Sequence, residues 1–102
     1  LKHYSDKNII SISDMFAEEV TLRDWKISVS GKTEAINETE KNFDSATTIE
    51  IEILHTYEAE QAVTGELRIV VNETEVLYVV DVITFNANSQ IKSVRAYLGR
   101  GD

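Results

Sequence analysis

The most unusual side chain of this sequence is Asp81, the one carboxylate in the apolar segment VLYVVDVITF from Val76 to Phe85. In a strand, both faces of this segment would be largely apolar, which is typical of a strand covered on both sides. A carboxylate buried without a partner has its pKa raised, by up to about 3–5 units. We therefore expect Asp81 to be a neutral acid that donates a hydrogen bond. The alternative is an ion pair with Arg68 or Arg95 that fixes strand register.

A second carboxylate, Asp24, lies in the segment TLRDWKIS, just before a loop that contains glycine. Alternation places Val20, Leu22 and Asp24 on one face of a strand. Two carboxylates in different environments, one buried and one at a rim, can have their pKa values separated into base and acid roles. The alternative for Asp24 is an exposed side chain paired with a neighbouring cation.

Aromatic and histidine side chains are candidates for the walls of a pocket. His55 and Tyr57 fall on the face of Ile49, Ile51 and Ile53, where His55 would carry or orient a proton. The alternative for such side chains is ordinary packing in the core. The full set of predicted ligand-binding residues is Tyr4, Phe16, Trp25, Phe43, His55, Tyr57 and Phe85.

Composition excludes several functions. The 102 residues predict one domain, 1–102, and the net charge of -8 disfavours nucleic acid and anionic membranes as partners. The chain has no cysteine, no histidine and carboxylate cluster with metal spacing and no glycine-rich phosphate loop, so we expect neither a metal nor another cofactor. No apolar run approaches the length of a membrane span, and no export signal is visible, so a cytoplasmic location is expected.

Periodicity predicts helices first and strands afterwards. The predicted helices run from Leu1 to about Asn8, from Ser11 to Glu19, and over the segment SGKTEAINETEKNFDS, with a strand at VTLRDWKISV between the last two. The period changes to two from Thr47, and three further strands are predicted, at about Ala62 to Val71, Glu75 to Phe85 and Ile91 to Leu98. Short turns between them predict an antiparallel meander, and therefore an α+β domain whose helices pack on one face of a curved sheet. The mouth of such a cup is where a small ligand would bind.

Three segments carry a resemblance to a known family. FAEEVTLRDW, GKTEAI and VVDVITFNANSQIKSVRAYLG resemble the ketosteroid isomerase branch of the NTF2-like (SnoaL-like) superfamily, over about Met15 to Gly99. The resemblance implies a cone-shaped fold, a mostly antiparallel curved sheet wrapped around the N-terminal helices with a central apolar pocket, and a homodimer. It also implies that Asp24 is the catalytic base and Asp81 the protonated acid of the oxyanion hole. The family's oxyanion tyrosine would fall upstream of Leu1, and Tyr4 is its nearest substitute.

The sequence leaves three functions open. The first is an isomerase or related lyase that transfers a proton next to a carbonyl of a small hydrophobic or carbonyl-bearing molecule. The second is a module of the same fold that binds a small hydrophobic ligand, or dimerises, without catalysis. The third, epoxide hydrolysis, would need an arginine between two acids, a role for which Arg95 and Arg68 are the candidates.

Overall fold

The computed structural model of the protein describes residues 9–101, with side chains from residue 12 onward. The predicted helix from Leu1 to Asn8, and with it Tyr4, lies outside the described residues. The elements are α1 (Ile9–Met15), β1 (Phe16–Arg23), β2 (Ser28–Ser30), α2 (Lys32–Asp44), β3 (Ile49–Ala59), β4 (Ala62–Val71), β5 (Glu75–Phe85) and β6 (Ile91–Leu98). No helix in this part of the chain is long and apolar enough to cross a membrane.

The six strands form one curved, open sheet in the order β2-β1-β6-β5-β4-β3. The predicted meander is confirmed, since β3, β4, β5 and β6 pair successively and antiparallel. Among the strands of residues 9–101, only β1 pairs in parallel, with β6, and β2 adds an antiparallel edge to it. The fold is the predicted α+β arrangement of helices on a mostly antiparallel sheet.

The core lies between the helices and one face of the sheet, which we call the concave face. Its buried residues come from both helices and from the strands, and include Phe16, Val20, Ala35, Phe43 and Ile91. Along β5 the residues of the concave face are the odd-numbered ones, because Ile83 and Phe85 pack against this core. The even-numbered residues of β5 therefore face the opposite, convex side.

Helix α2 follows its prediction closely. The side chains of Ala35, Thr39 and Phe43 are buried at the spacing of one helical face, and Ile36 packs against the same core. The buried hydroxyl of Thr39 donates a hydrogen bond to the backbone oxygen of Ala35, 2.9 Å away, which satisfies its polar group within the helix.

The first part of the chain differs from its prediction. The helix predicted to end at Glu19 ends at Met15, and Phe16 begins a strand that pairs with Ile91. The spacing of Ile12, Met15 and Phe16 in the sequence predicts one buried helical face, but Met15 is exposed. The periodicity of this segment fits a helix, but pairing with β6 buries Phe16 and Val20 in the sheet, and this tertiary gain outweighs the local preference.

The single strand predicted over VTLRDWKISV is two strands joined by a turn. β1 ends at Arg23, and β2 pairs back with it from Ser28. The backbone N–H of Asp24 donates to the carbonyl of Ile27 at 2.9 Å, which closes the turn. Asp24 thus lies at the first position of a hairpin turn and not within a strand.

A bulge in β3 reverses the predicted facing of two candidate residues. Ile53 pairs with Leu67, but the next pairs are His55 with Glu66 and Tyr57 with Thr64. The extra residue, Leu54, shifts the alternation by one. His55 and Tyr57 therefore lie on the convex face, and the prediction that they share the face of Ile49, Ile51 and Ile53 is wrong.

Candidate functional site

Asp81 lies in the middle of β5 on the concave face of the sheet. Its register partners are Gly65 on β4 and Ala96 on β6, and its neighbours on the same face of β5 are Val79 and Ile83. The carboxyl group is mostly buried among these small and apolar residues. Burial raises the pKa of Asp81 from 3.8 to about 6, because water no longer solvates the charged form.

The carboxyl group of Asp81 has no hydrogen-bond partner and no ion pair within residues 9–101. The register partner of Arg68 is Tyr78, and that of Arg95 is Val82. Because even-numbered residues of β5 face the convex side, both arginines lie on the convex face. The ion pair considered from the sequence is therefore absent. The same placement removes both arginines from the position between two acids that epoxide hydrolysis would require.

Asp24 lies near the level of Asp81 in the sheet. The last parallel pair of β1 and β6 is Arg23 with Arg95, and Asp24 and Ala96 are the residues that follow this pair in the two segments. Ala96 is the register partner of Asp81 on β5. We call Asp24, Ala96 and Asp81 the row of acids.

The carboxylate of Asp24 also organises its own turn. Its Oδ1 accepts hydrogen bonds from the backbone N–H groups of Lys26 at 2.7 Å and Ile27 at 2.9 Å. Such a turn is a common use of aspartate at the start of a loop. Oδ2 has no partner among the described residues, so one oxygen fixes the group and the other remains free to accept a proton.

The backbone positions of Asp24 and Asp81 are two strand spacings apart. Neighbouring strands lie about 4.8 Å apart, so the Cα atoms of Asp24 and Asp81 are separated by roughly 10 Å.

The aromatic residues predicted to line a pocket lie in different parts of the molecule. Phe16 and Phe43, 4% and 8% exposed, are packed inside the core and present no free surface. Trp25 is exposed in the turn directly after Asp24. Phe85 is half-buried at the far end of β5, roughly 13 Å from Asp81 at about 3.3 Å per residue.

His55 and Tyr57 are both exposed on the convex face, away from the acids. The Tyr57 hydroxyl donates a hydrogen bond to Glu66 Oε2 at 2.7 Å. The hydrogen bond and the negative charge of Glu66 raise the pKa of the Tyr57 hydroxyl. Both residues belong to the convex surface of the sheet, and neither belongs to the row of acids.

An open depression of about 420 Å³ lies at the end of the sheet beyond Phe85. It is formed by the turn between β3 and β4 and the turn between β5 and β6, and it is lined by Glu60, Gln61, Phe85, Asn86, Ala87 and Ser89. The size of this depression would suit a small ligand, but it contains neither Asp24 nor Asp81. We place the candidate site at the acids, because a mostly buried acid without a hydrogen-bond or ion-pair partner among residues 9–101 is stronger chemical evidence than an open hollow.

Sequence reasoning missed the residues that shape the surroundings of Asp81. Gly65, Leu67 and Ala96 carry no chemistry of their own, and only strand register shows that they lie beside the acid. No group of three or more histidine, cysteine, aspartate or glutamate side chains in residues 9–101 is arranged to hold a metal ion.

Comparison with solved structures identifies the fold. A ketosteroid isomerase candidate from Kribbella flavida superposes with a TM-score of 0.84 and 8% identity, over 99% of this chain and 73% of that one. A candidate polyketide cyclase from Sinorhizobium meliloti gives a TM-score of 0.83 and 11% identity, over 93% and 86%. The epoxide hydrolase/cyclase-like enzyme SalBIII, connected with pyran ring formation in the polyether salinomycin, gives 0.82 and 21%, over 99% and 85%.

The chain therefore has the fold that its sequence resemblance implied, the fold of structures described as NTF2-like and SnoaL-like. No protein-family model and no curated protein sequence matches it. The names of the three similar structures connect this fold with several small-molecule reactions. At these levels of identity the likeness shows the fold, and any argument about function must come from the site itself.

Proposed function

We propose that this protein is a ketosteroid isomerase-like enzyme, an isomerase or related lyase, that transfers a proton next to a carbonyl group of a small hydrophobic molecule. Asp24 is the base, and protonated Asp81 donates a hydrogen bond to the carbonyl oxygen. The observation that carries the proposal is the mostly buried carboxyl of Asp81, which has no hydrogen-bond or ion-pair partner in residues 9–101 and lies on β5, two strands from the end of β1 that Asp24 follows.

The reaction follows from the chemistry of the two acids. The free oxygen of Asp24 removes a proton from the carbon next to the carbonyl, and the electron pair of that C–H bond moves toward the carbonyl oxygen. Negative charge then develops on this oxygen, where the O–H of Asp81 stabilises it in a site with little water. Asp24 returns its proton to carbon, either at the same position or further along a conjugated system.

The spacing of the row is compatible with this assignment. The α-carbon and the carbonyl oxygen of a ketone are about 2.4 Å apart, given ordinary bond lengths. A contact of about 3 Å at each end, to a base and to a donor, brings the span to about 8 Å. This is shorter than the roughly 10 Å between the Cα atoms of residues two strands apart, so carboxyl groups that lean inward can reach both atoms.

The pKa of Asp81 determines the fraction of protein in which Asp81 is protonated and can donate a hydrogen bond to a carbonyl. With a pKa of about 6, the empty site is protonated in about a tenth of the molecules at pH 7. A ligand that covers the acid removes more water and accepts its hydrogen bond, and both effects favour the protonated form. Binding of a neutral ketone is thus coupled to uptake of one proton.

The exchange of α-protons for deuterium tests the proposal without knowledge of the natural substrate. The probe is 2-tetralone, a flat bicyclic ketone with acidic α-protons, followed by proton NMR in D₂O. Wild-type protein should accelerate the exchange, and Asp24→Asn should reduce the protein-catalysed rate by about 10²–10⁴ while affinity for the ketone changes little. Asparagine keeps the Oδ1 acceptor of the turn, so this variant removes the base and preserves the loop.

A second candidate function is a binding module that holds a small hydrophobic molecule against Asp81 without chemistry. The two hydrogen bonds to Asp24 Oδ1 favour it, because they give that carboxylate a structural role of its own. This module would bind 2-tetralone with Asp81 and show no exchange above the rate in buffer.

A homodimer is also part of the proposal. The convex face exposes Tyr57, Val76 and Tyr97, whose large apolar surfaces support association of two copies. Sedimentation at micromolar concentration tests it: a mass of one chain at all concentrations would contradict this part and leave the proposed chemistry unaffected.

A further inference from the structure

The depression of about 420 Å³ at the end of the sheet is formed by two turns that are bonded to each other. The backbone N–H of Phe85, the last residue of β5, donates a hydrogen bond to the carbonyl of Gln61 at 2.9 Å. Gln61 lies in the turn between β3 and β4, and Phe85 leads into the turn between β5 and β6. The two sides of the depression are therefore held at a fixed separation.

The turn between β5 and β6 is organised by the side chain of Asn86. Its Oδ1 accepts hydrogen bonds from the backbone N–H groups of Asn88 at 2.9 Å and Gln90 at 3.0 Å, and its Nδ2 donates to the side chain of Gln90 at 3.2 Å. The backbone N–H of Ser89 donates to the carbonyl of Asn86 at 3.1 Å. This side of the depression is thus formed before a ligand binds, which lowers the cost of ordering it.

Three polar side chains that line the depression take no part in holding the fold. The carboxylate of Glu60, the side-chain amide of Gln61 and the hydroxyl of Ser89 have no hydrogen-bond or ion-pair partner within residues 9–101. A few polar groups that converge on a preformed hollow are what fixes the orientation of a small ligand. These three groups are available for that purpose.

The charge of the lining favours a cation. Among the described residues that line the depression, Glu60 alone is charged, and the chain carries a net charge of -8, so anions are repelled. Phe85, which is half-buried, and Ala87 contribute apolar surface. The face of an aromatic ring also attracts a cation, so Phe85 adds to the effect of the carboxylate.

We propose that this depression binds a small organic cation, a primary ammonium group attached to an apolar group of about the size of a phenyl ring. The three N–H donors of the ammonium match the oxygen acceptors of Glu60, Gln61 and Ser89. The apolar group lies on Phe85 and Ala87. The depression contains neither residue of the proton-transfer pair, so the site does not depend on the proposed function.

Titration with 2-phenylethylammonium, followed by ¹⁵N–¹H NMR of the full chain, tests the site. Saturable shifts are expected at millimolar concentration in the amides of residues 59–62 and 85–90. Glu60→Gln should weaken binding by about threefold or more. Glu75→Gln is the matched control, because it removes the same charge from an exposed position of β5, ten residues or about 33 Å from Phe85. It should leave the dissociation constant within about 1.5-fold of wild type.

Two further measurements separate a specific site from general attraction. 2-Phenylethanol, which has a similar size and no charge, should bind about threefold more weakly or worse. Ala87→Arg, at an exposed position, places a cation in the depression and should abolish the shifts caused by the ammonium. Equal weakening by Glu60→Gln and Glu75→Gln would show attraction to net charge alone and overturn the proposal. Equal affinity for the alcohol, or no saturable shift in the two turns, would also overturn it.

Discussion

Asp81 and Gly65 are register partners on neighbouring strands, and the absence of a side chain at Gly65 lets Leu67 pack beside the acid. This relationship connects an apolar contact with the chemistry of the carboxyl group. Leu67 is among the largest fully buried side chains, and it lies over Gly65, the residue opposite Asp81. We therefore expect this packing on β4 to contribute to the burial that raises the pKa of Asp81.

Leu67→Ala should change both stability and the pKa of Asp81. Removal of the buried isobutyl group should lower the free energy of unfolding by about 2–5 kcal/mol, as for other leucines in cores. Water that enters the space should lower the pKa of Asp81 toward its ordinary value, as measured by carboxyl NMR titration. Leu67→Met, which keeps the volume, should cost less than about 1.5 kcal/mol and leave the pKa raised. An unchanged pKa in Leu67→Ala would show that Leu67 does not desolvate the acid.

Asp81 should make the protein less stable as pH rises. Its pKa is near 3.8 in the unfolded chain and about 6 in the folded protein, so the folded state binds more protons between these values. Stability then falls as pH rises from about 4 to about 6, by roughly 3 kcal/mol for a shift of two units. Asp81→Asn removes this titration and should be more stable than wild type at pH 8 in urea denaturation. Equal or lower stability of Asp81→Asn at pH 8 would contradict the burial of a charged Asp81.

Affinity for a neutral ketone should follow the protonation of Asp81. Below the pKa of about 6 the binding constant of 2-tetralone should be independent of pH, and above it the constant should fall about tenfold per pH unit. The fluorescence of Trp25, the single tryptophan, offers a signal in the turn next to Asp24. In Asp81→Asn the amide donates at every pH, so the slope should disappear. A slope that persists in this variant would assign it to another group.

Two variants of Asp24 should separate its structural role from its chemical one. Asp24→Ala removes the acceptor of the Lys26 and Ile27 N–H groups, which should destabilise the turn by about 1 kcal/mol. Asp24→Asn keeps this acceptor and should unfold at nearly the wild-type denaturant concentration. A loss of stability in the asparagine variant as large as that in the alanine variant would mean that the charge, and not the acceptor, holds the turn.

The sequence predicts the helix α2 and the strands β4, β5 and β6 well, because their periodicity and their buried faces agree. The residue types between the strands also predict the turns. Asn72 adopts a positive φ of 53° between β4 and β5, and its side chain accepts a hydrogen bond from the backbone of Thr47 at 2.6 Å. Asparagine tolerates this backbone conformation and supplies the local hydrogen bond, so the residue type marks the turn.

The misassigned positions are those where pairing with a distant strand decides the structure. Phe16 fits a helical face in sequence, but its pairing with Ile91 draws it into the sheet. The bulge at Leu54 turns His55 and Tyr57 to the convex face, and no residue type in this segment predicts a bulge. Alternation in the sequence places Asp81 on the same face as Val79 and Ile83. Its neighbours on β4 and β6 are known only from the strand register of the structure.

A carboxyl NMR titration of Asp81, assigned by comparison with Asp81→Asn, tests the central claim directly. For the free protein we expect a pKa of about 6, and on saturation with 2-tetralone a further rise, because the bound carbonyl accepts the proton of the acid. A pKa near 3.8 that is the same with and without the ketone would show that Asp81 is a solvated carboxylate, and it would remove the basis for an oxyanion donor at this site.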